Sequence, residues 1–87
     1  MAKIRAQFTF HGAKRGAEQE FIIALQKSYP RSLSFDERIP EITISIQGTP
    51  TAQEVKEMLK SFVPIRKVVS YEFKVAIDNK TFVFEGS

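Results

Sequence analysis

Cysteine is absent from this chain of 87 residues, and histidine occurs only at position 11. The lack of cysteine excludes disulfides, thiolate zinc sites, iron–sulfur ligation and a cysteine nucleophile. One histidine cannot build a histidine-based metal cluster, and no serine and carboxylate stand at a spacing that would orient it for catalysis. We therefore expect no metal and no cofactor. A chain without disulfides is most simply cytoplasmic, and we expect that compartment.

Long apolar segments are also missing from the sequence. No stretch approaches the ~20 apolar residues that a membrane helix requires. Lys3 and Arg5 interrupt the apolar run that a signal peptide would need. No two acids are bracketed by apolar residues that would push their pKa values apart, which argues against general acid–base catalysis. We expect a protein that is not an enzyme and does not associate with a membrane.

The sequence contains one pattern twice, in the order strand, glycine, helix, proline. The first copy carries Gly12 and Pro30, and the second carries Gly48 and Pro64. The glycines are 48 − 12 = 36 residues apart and the prolines 64 − 30 = 34, so the two copies have nearly the same length. Two consecutive strand–helix units are predicted.

The local periodicity predicts the individual elements. Residues 3–11 alternate between apolar and polar, which indicates a strand with one wet face. Helical spacing follows over 17–29, then a weak strand over 31–35, a turn over 36–40 and a strand over 42–46. The segment 49–54 predicts a helix start, with a threonine cap, a proline in the first turn and a capping box between Thr51 and Glu54. Strands over 69–77 and 81–85 form a hairpin around Asp78 and Asn79.

This order, βαββαββ, predicts an α+β domain that spans residues 1–87. Two helices on one face of an antiparallel sheet most simply give a ferredoxin-like two-layer sandwich with strand order 4-1-3-2, and the hairpin adds a fifth strand beside the fourth. The apolar positions of the predicted elements should form the core. They are Phe8, Phe10, Leu25, Ile44, Val55, Leu59, Phe62, Phe73 and Phe82.

Positive charge is concentrated at the start of the chain. Residues 1–17 hold four basic residues and no acid, whereas the remainder has 13 − 4 = 9 basic residues against 10 acidic ones. Because the first strand is expected at the centre of the sheet, its cations should lie in the middle of the uncovered face, which suits a phosphate backbone. The outward positions of the central strands carry no aromatic residue, so base stacking is not expected there.

The loop 12–16 joins a strand to a helix and contains two glycines and two cations. A helix N-terminus already has a positive dipole, so cations beside it are disfavoured unless an anion is bound. The alternative is a flexible, solvated loop whose charge is offset by Glu18 and Glu20, and the sequence leaves both open. The candidate residues for binding an anion or nucleic acid are Lys3, Arg5, His11, Gly12, Lys14, Arg15, Gly16 and Lys74.

A second candidate surface is the last strand, which should form an edge of the sheet. Its unpaired backbone groups at Thr81, Val83 and Glu85 invite a strand from a partner protein or from a second copy of the chain, which would give a homodimer. The sequence therefore predicts a binding protein for DNA, RNA or another polyanion. The alternative is a protein-interaction module, such as a small inhibitor or regulator, that acts through an edge strand or the sheet face.

Overall fold

A computed structural model describes residues 2–36 and 38–87, and within them it has two helices and five strands. The fold is α+β, as predicted. The elements, in chain order, are β1 (Ala2–His11), α1 (Ala17–Ser28), β2 (Leu33–Asp36), β3 (Glu41–Ile46), α2 (Ala52–Phe62), β4 (Ser70–Ile77) and β5 (Lys80–Gly86). The predicted turn over 36–40 is partly wrong, because Asp36 ends β2, and its Glu37 lies outside the described residues.

The strands form one antiparallel sheet in the order β2-β3-β1-β4-β5. Seen from β4, the order is β4-β1-β3-β2 with β5 outside β4. The central strand β1 pairs with β3 through Arg5 and Thr43, and with β4 through Phe8 and Phe73. β1 therefore pairs with a strand on each side and is a central strand, whereas β2 and β5 are the edge strands.

Alternation along β1 decides which face of the sheet is buried. Ile4, Ala6 and Phe8 are at most 1% exposed, while the odd-numbered residues between them are exposed. The buried face packs against Phe21 of α1 and Leu59 of α2, so both helices lie on the same side. The arrangement is compatible with a two-layer sandwich whose second face is open.

The two helices begin in different ways. At α2 the Thr51 hydroxyl accepts from the backbone N–H of Glu54, and the Glu54 carboxylate accepts from the backbone N–H of Thr51. This is the predicted capping box, although Pro50 lies just before the cap and not in the first turn. At α1 the N-cap is Gly16, with a left-handed φ of 88° and no side-chain cap. The first four backbone N–H groups of a helix have no acceptor inside the helix. At α1 no side chain at the cap accepts from them, because the cap is a glycine.

The terminal hairpin has the predicted register. Val75 pairs with Phe82, Phe73 pairs with Phe84, and the turn at Asp78 takes a positive φ of 54°. The rings of Phe73 and Phe84 are stacked with centroids 5.0 Å apart. This register places Thr81, Val83 and Glu85 on the open face.

Three residues of the predicted core are only half buried. Phe10, Phe62 and Phe82 pack against the core cluster from its margin, whereas the other six predicted residues are buried. Phe10 and Phe82 occupy core-facing positions, but Phe10 lies near the end of β1 and Phe82 on an edge strand, where fewer neighbours cover them. Among the described residues, no helix has the length and apolar character that crossing a membrane requires.

Candidate nucleic-acid interface

The open face of the sheet is the side that the helices leave uncovered. Its register places Lys3 beside Ser45, Arg5 between Thr43 and Ala76, Gln7 between Glu41 and Lys74, Thr9 beside Glu72, and His11 beside Ser70. The predicted assignment of β1 side chains to this face is therefore confirmed. None of the open-face residues described is Phe, Tyr or Trp, so this surface offers no ring on which a base could stack.

Arg5 is partly neutralised where it lies. Its Nε is 3.9 Å from Oε1 of Glu41, whose other oxygen accepts from the Gln7 side-chain amide at 3.2 Å. The Arg5 side chain is 62% exposed and the Glu41 side chain 19% exposed, so the acid is the more fixed partner. A phosphate that approached Arg5 would have to compete with this carboxylate.

Two acids divide the predicted basic surface. Glu72 lies beside Thr9 on β1, and on its other side it faces Glu85 of β5. The two carboxylates form a local negative patch. Like charges directly opposite each other on neighbouring strands also repel, which makes this pair slightly destabilising. The patch lies between Arg5 and the end of β1 at His11. Lys3, Arg5 and Lys74 are consequently separated along the sheet from Lys14 and Arg15.

The loops at the far end of β1 form a different cationic surface. The backbone N–H of Lys14 donates to the carbonyl oxygen of Lys67 at 2.7 Å, and the N–H of Val69 donates to the carbonyl of His11 at 2.9 Å. These bonds tie the β1–α1 loop to the α2–β4 loop. We call the four cations that the two loops carry, Lys14, Arg15, Arg66 and Lys67, the basic end.

The basic end is accessible to solvent and is only partly neutralised. Lys14, Arg15 and Arg66 are exposed. Lys67 is half buried, and its Nζ lies 2.9 Å from Oε2 of Glu20 in the first turn of α1. This exposed ion pair contributes little to stability, because surface pairs are worth about 0–1 kcal/mol. It can open to admit another anion at small cost.

Glycine geometry sets the shape of the β1–α1 loop. Gly12 has φ of 60° and Gly16 has φ of 88°, both in the left-handed region that other residues rarely adopt. A Cβ at Gly12 would lie 2.9 Å from Cβ of Val69 and closer still to its Cγ2, so only glycine fits against the neighbouring loop. Gly12 is therefore a packing residue between the two loops, and Gly16 ends the turn into α1.

Sequence reasoning missed Arg66 and Lys67. Both follow Pro64 in the loop before β4, and the predicted antiparallel pairing of β1 with β4 brings the end of one strand beside the start of the other. That topology was a usable signal. Charge counted along the chain does not group these two cations with residues 1–17, because they lie about 50 residues from that segment in sequence.

The remaining predicted residues lie on β4 and on the edge strand β5. Thr81, Val83 and Glu85 are exposed on β5, which pairs with β4 and is an edge strand of the described sheet. Lys74 lies beside Val83, and a shallow depression of about 330 Å³ over Ala76 is lined in part by Lys74 and Arg5. The comparisons find no protein-family model, no curated protein and no solved structure that matches this chain.

Proposed function

We propose that this protein is a non-enzymatic binding protein that holds the phosphate backbone of a nucleic acid, or another polyanion, at the basic end. The single observation that carries the proposal is the 2.7 Å hydrogen bond from the Lys14 N–H to the Lys67 carbonyl. That bond joins the backbones of two loops that each carry two cations, although the loops are about 50 residues apart in the chain, so a row of phosphates could contact cations of both loops.

Electrostatics favours this end over the open face. Each of the two surfaces carries cations, but on the open face Arg5 is partly neutralised by Glu41, and the pair Glu72 and Glu85 adds negative charge. At the basic end, Lys67 is paired with Glu20, while Lys14, Arg15 and Arg66 are exposed. Lys3 and Lys74 are exposed as well, but Glu72 and Glu85 separate them and Arg5 from the basic end, so we leave all three outside the proposed contact surface.

The chemistry predicts binding with little sequence preference. Cations that contact phosphates fix position and supply affinity, whereas sequence is read by contacts to base edges or by stacking. The basic end offers lysine and arginine side chains beside exposed Ile65 and Val69, and none of the described residues of these two loops is aromatic. We expect DNA and RNA to bind with similar affinity.

Two charge-reversal pairs test the location of the site. Lys14→Glu with Arg15→Glu, and separately Arg66→Glu with Lys67→Glu, should each weaken binding to a short labelled single-stranded DNA by at least tenfold at low salt. The matched control is Lys27→Glu with Lys80→Glu, which changes the net charge by the same amount, from +3 to 3 − 4 = −1, away from the basic end. Equal loss in the control would mean that overall charge, and not this surface, governs binding.

We further propose that the fold is ferredoxin-like. Two observations support this proposal. β1 lies between β3 and β4, with β2 outside β3, and the chain contains two repeated strand–helix units. Gly12 and Gly48, at equivalent positions of the two units, both adopt positive φ, at 60° and 82°. The test is an experimental structure in which the handedness of both crossovers is measured, and a left-handed crossover would contradict the proposal.

A further inference from the structure

We infer that β5 pairs with β5 of a second copy of this chain, in an antiparallel dimer whose two-fold axis passes through Val83. The inference does not depend on the polyanion proposal, because it concerns the free edge of β5 and a different ligand. It rests on three observations: the direction of the free backbone groups, the symmetry of the strand, and the side chains that this symmetry would bring together.

The free backbone groups of β5 belong to alternate residues. Ile77 and Lys80 flank the two-residue turn and form a hydrogen-bonded pair, and in an antiparallel ladder such pairs alternate with non-hydrogen-bonded ones. Lys80, Phe82, Phe84 and Gly86 therefore direct their N–H and C=O groups toward β4. The backbone groups of Thr81, Val83 and Glu85 point away from the sheet, toward the free edge.

The two edges of the sheet differ in how well they are protected. The edge strand β2 has four residues, whereas β5 has seven, contains no proline and keeps one continuous register with β4. Short strands, prolines, bulges and charged side chains are the usual devices that prevent edge pairing, and of these β5 has only two charges, Lys80 at its start and Glu85 near its end. A second strand could add along its whole length.

Symmetry makes β5 complementary to itself. The strand runs from Lys80 to Gly86, and its midpoint is (80 + 86)/2 = 83. A two-fold axis at Val83 therefore pairs every residue of the strand. Val83 would exchange two backbone hydrogen bonds with Val83 of the partner subunit, and Thr81 would do the same with the partner subunit's Glu85.

The side chains that meet in this register are compatible. Val83 is 59% exposed in the monomer and would be covered by its own copy on the open face. On the helix side, the half-buried Phe82 would lie opposite the partner's Phe84, which extends the aromatic row of Phe73 and Phe84 across the interface. Glu85 would face the hydroxyl of the partner's Thr81. An axis at Glu85 would instead place two carboxylates opposite each other, which disfavours that register.

The size of the interface sets the expected strength. One pair of seven-residue strands buries less surface than the roughly 1,200–2,000 Å² of a stable interface. The dimer should therefore be weak, with a dissociation constant on the order of 10–100 μM. Sedimentation velocity over a concentration series from a few micromolar to about 1 mM should show the monomer at one end and the dimer at the other.

Single cysteines test the register directly, because the chain has no cysteine of its own. In the proposed dimer the Cα atoms of the two Val83 residues lie about 5.5 Å apart, within the span of a disulfide, so Val83→Cys should cross-link on mild oxidation. Thr81→Cys is the matched control, since its two copies would lie about 14 Å apart and should not cross-link. Cross-linking of both variants to the same extent, or of neither, would overturn the inference.

Charge substitutions at an exposed position provide a second test that spares the fold. Thr81→Glu places two carboxylates opposite each other twice in the dimer and should weaken dimerisation at least fivefold, whereas Thr81→Lys should strengthen it. Adding Glu85→Lys to Thr81→Glu should restore the dimer. The control Ser34→Glu lies on the other edge strand and should have no effect. A protein that stays monomeric up to 1 mM, or a Thr81→Glu variant that dimerises as wild type does, would contradict the inference.

Discussion

The backbone N–H of Lys14 donates to the carbonyl oxygen of Lys67 across 2.7 Å, and this bond joins two loops that α1, β2, β3 and α2 separate along the chain. Both residues belong to the basic end. The bond involves only backbone atoms, so it occupies neither ammonium group: that of Lys14 is exposed, and that of Lys67 is paired with Glu20. It also means that the geometry of one loop controls where the charges of the other loop lie.

Replacement of Gly12 by alanine should damage this junction. The substitution combines a left-handed φ of 60° with an overlap between the new Cβ and Val69, so it should cost more than Gly16→Ala, where the added Cβ meets open space. A non-glycine residue in the left-handed region costs about 1–2 kcal/mol, and this is all that Gly16→Ala should lose. Urea unfolding of both variants measures the difference.

The control for this prediction is the double variant Gly12→Ala with Val69→Ala. Removing the Val69 branches should recover the part of the loss that comes from overlap with Cγ2, while the close approach to Val69 Cβ at 2.9 Å and the cost of the positive φ remain. A coupling energy near zero in this double-mutant cycle would show that the two residues do not press on each other.

Phe8→Ala should be among the most destabilising single substitutions in β1. Phe8 is 1% exposed, and its ring lies 5.0 Å from that of Phe21 and 6.3 Å from that of Phe73. Truncation of a buried phenylalanine costs about 3–5 kcal/mol. Thr9→Ala, one residue along on the open face, should change the free energy of unfolding by no more than about 0.5 kcal/mol. Chemical denaturation that ranks the two variants in the reverse order would show that the faces of β1 are exchanged.

The capping box of α2 predicts a pH dependence. Hydrogen bonds from the Thr51 backbone and side chain hold the pKa of Glu54 below its ordinary value of 4.5. A lowered pKa in the folded state stabilises the protein above the ordinary value, and this stabilisation is lost as the pH falls through the lower folded-state value. Wild type should therefore be more stable than Glu54→Gln at pH 7, and the gap should close below pH 4.5.

The measurement for this prediction is the unfolding free energy of wild type and Glu54→Gln at several pH values between neutral and acidic. Glutamine keeps the hydrogen bond of a capping box and removes the charge, so the difference reports the ionised carboxylate. Glu57→Gln, one turn further along the same helix, serves as the control. A difference that is constant with pH, or that widens in acid, would contradict the assignment.

Periodicity sufficed for the elements whose two faces differ strongly. Three features could be predicted because apolar and polar residues follow a regular pattern along the chain. They are the alternation in β1, the glycine and cap positions of the two strand–helix units, and the pairing of Phe73 with Phe84. How deeply each apolar side chain is buried could not be predicted from the sequence. Phe10 and Phe82 have the right parity for the core but lie at its margin, and position along a strand or at an edge is a property of the assembled sheet.

The candidate site was predictable only in part, for a related reason. Lys14 and Arg15 were identified from local sequence, but Arg66 and Lys67 become their neighbours only when β1 and β4 pair. The interruption of the open face by Glu72 and Glu85 likewise depends on the register of three strands. Charged residues that are close in sequence can be recognised as a cluster without a structure. Charged residues that strand pairing brings together can be recognised only once the strand order is known.

The dependence of nucleic-acid affinity on salt tests the central claim most directly. Wild-type protein should be titrated with short single- and double-stranded DNA and RNA over a range of salt concentrations. We expect affinity to fall with a log–log slope of about −0.7 to −0.9 for each phosphate neutralised, and the Lys14→Glu, Arg15→Glu variant should flatten that slope by roughly 2. All four nucleic acids should behave alike, and the Lys27→Glu, Lys80→Glu control should keep the wild-type slope. Failure of every nucleic acid to bind at tens of micromolar protein in low salt, or a slope that the Lys14 and Arg15 substitutions leave unchanged, would contradict nucleic-acid binding at the basic end.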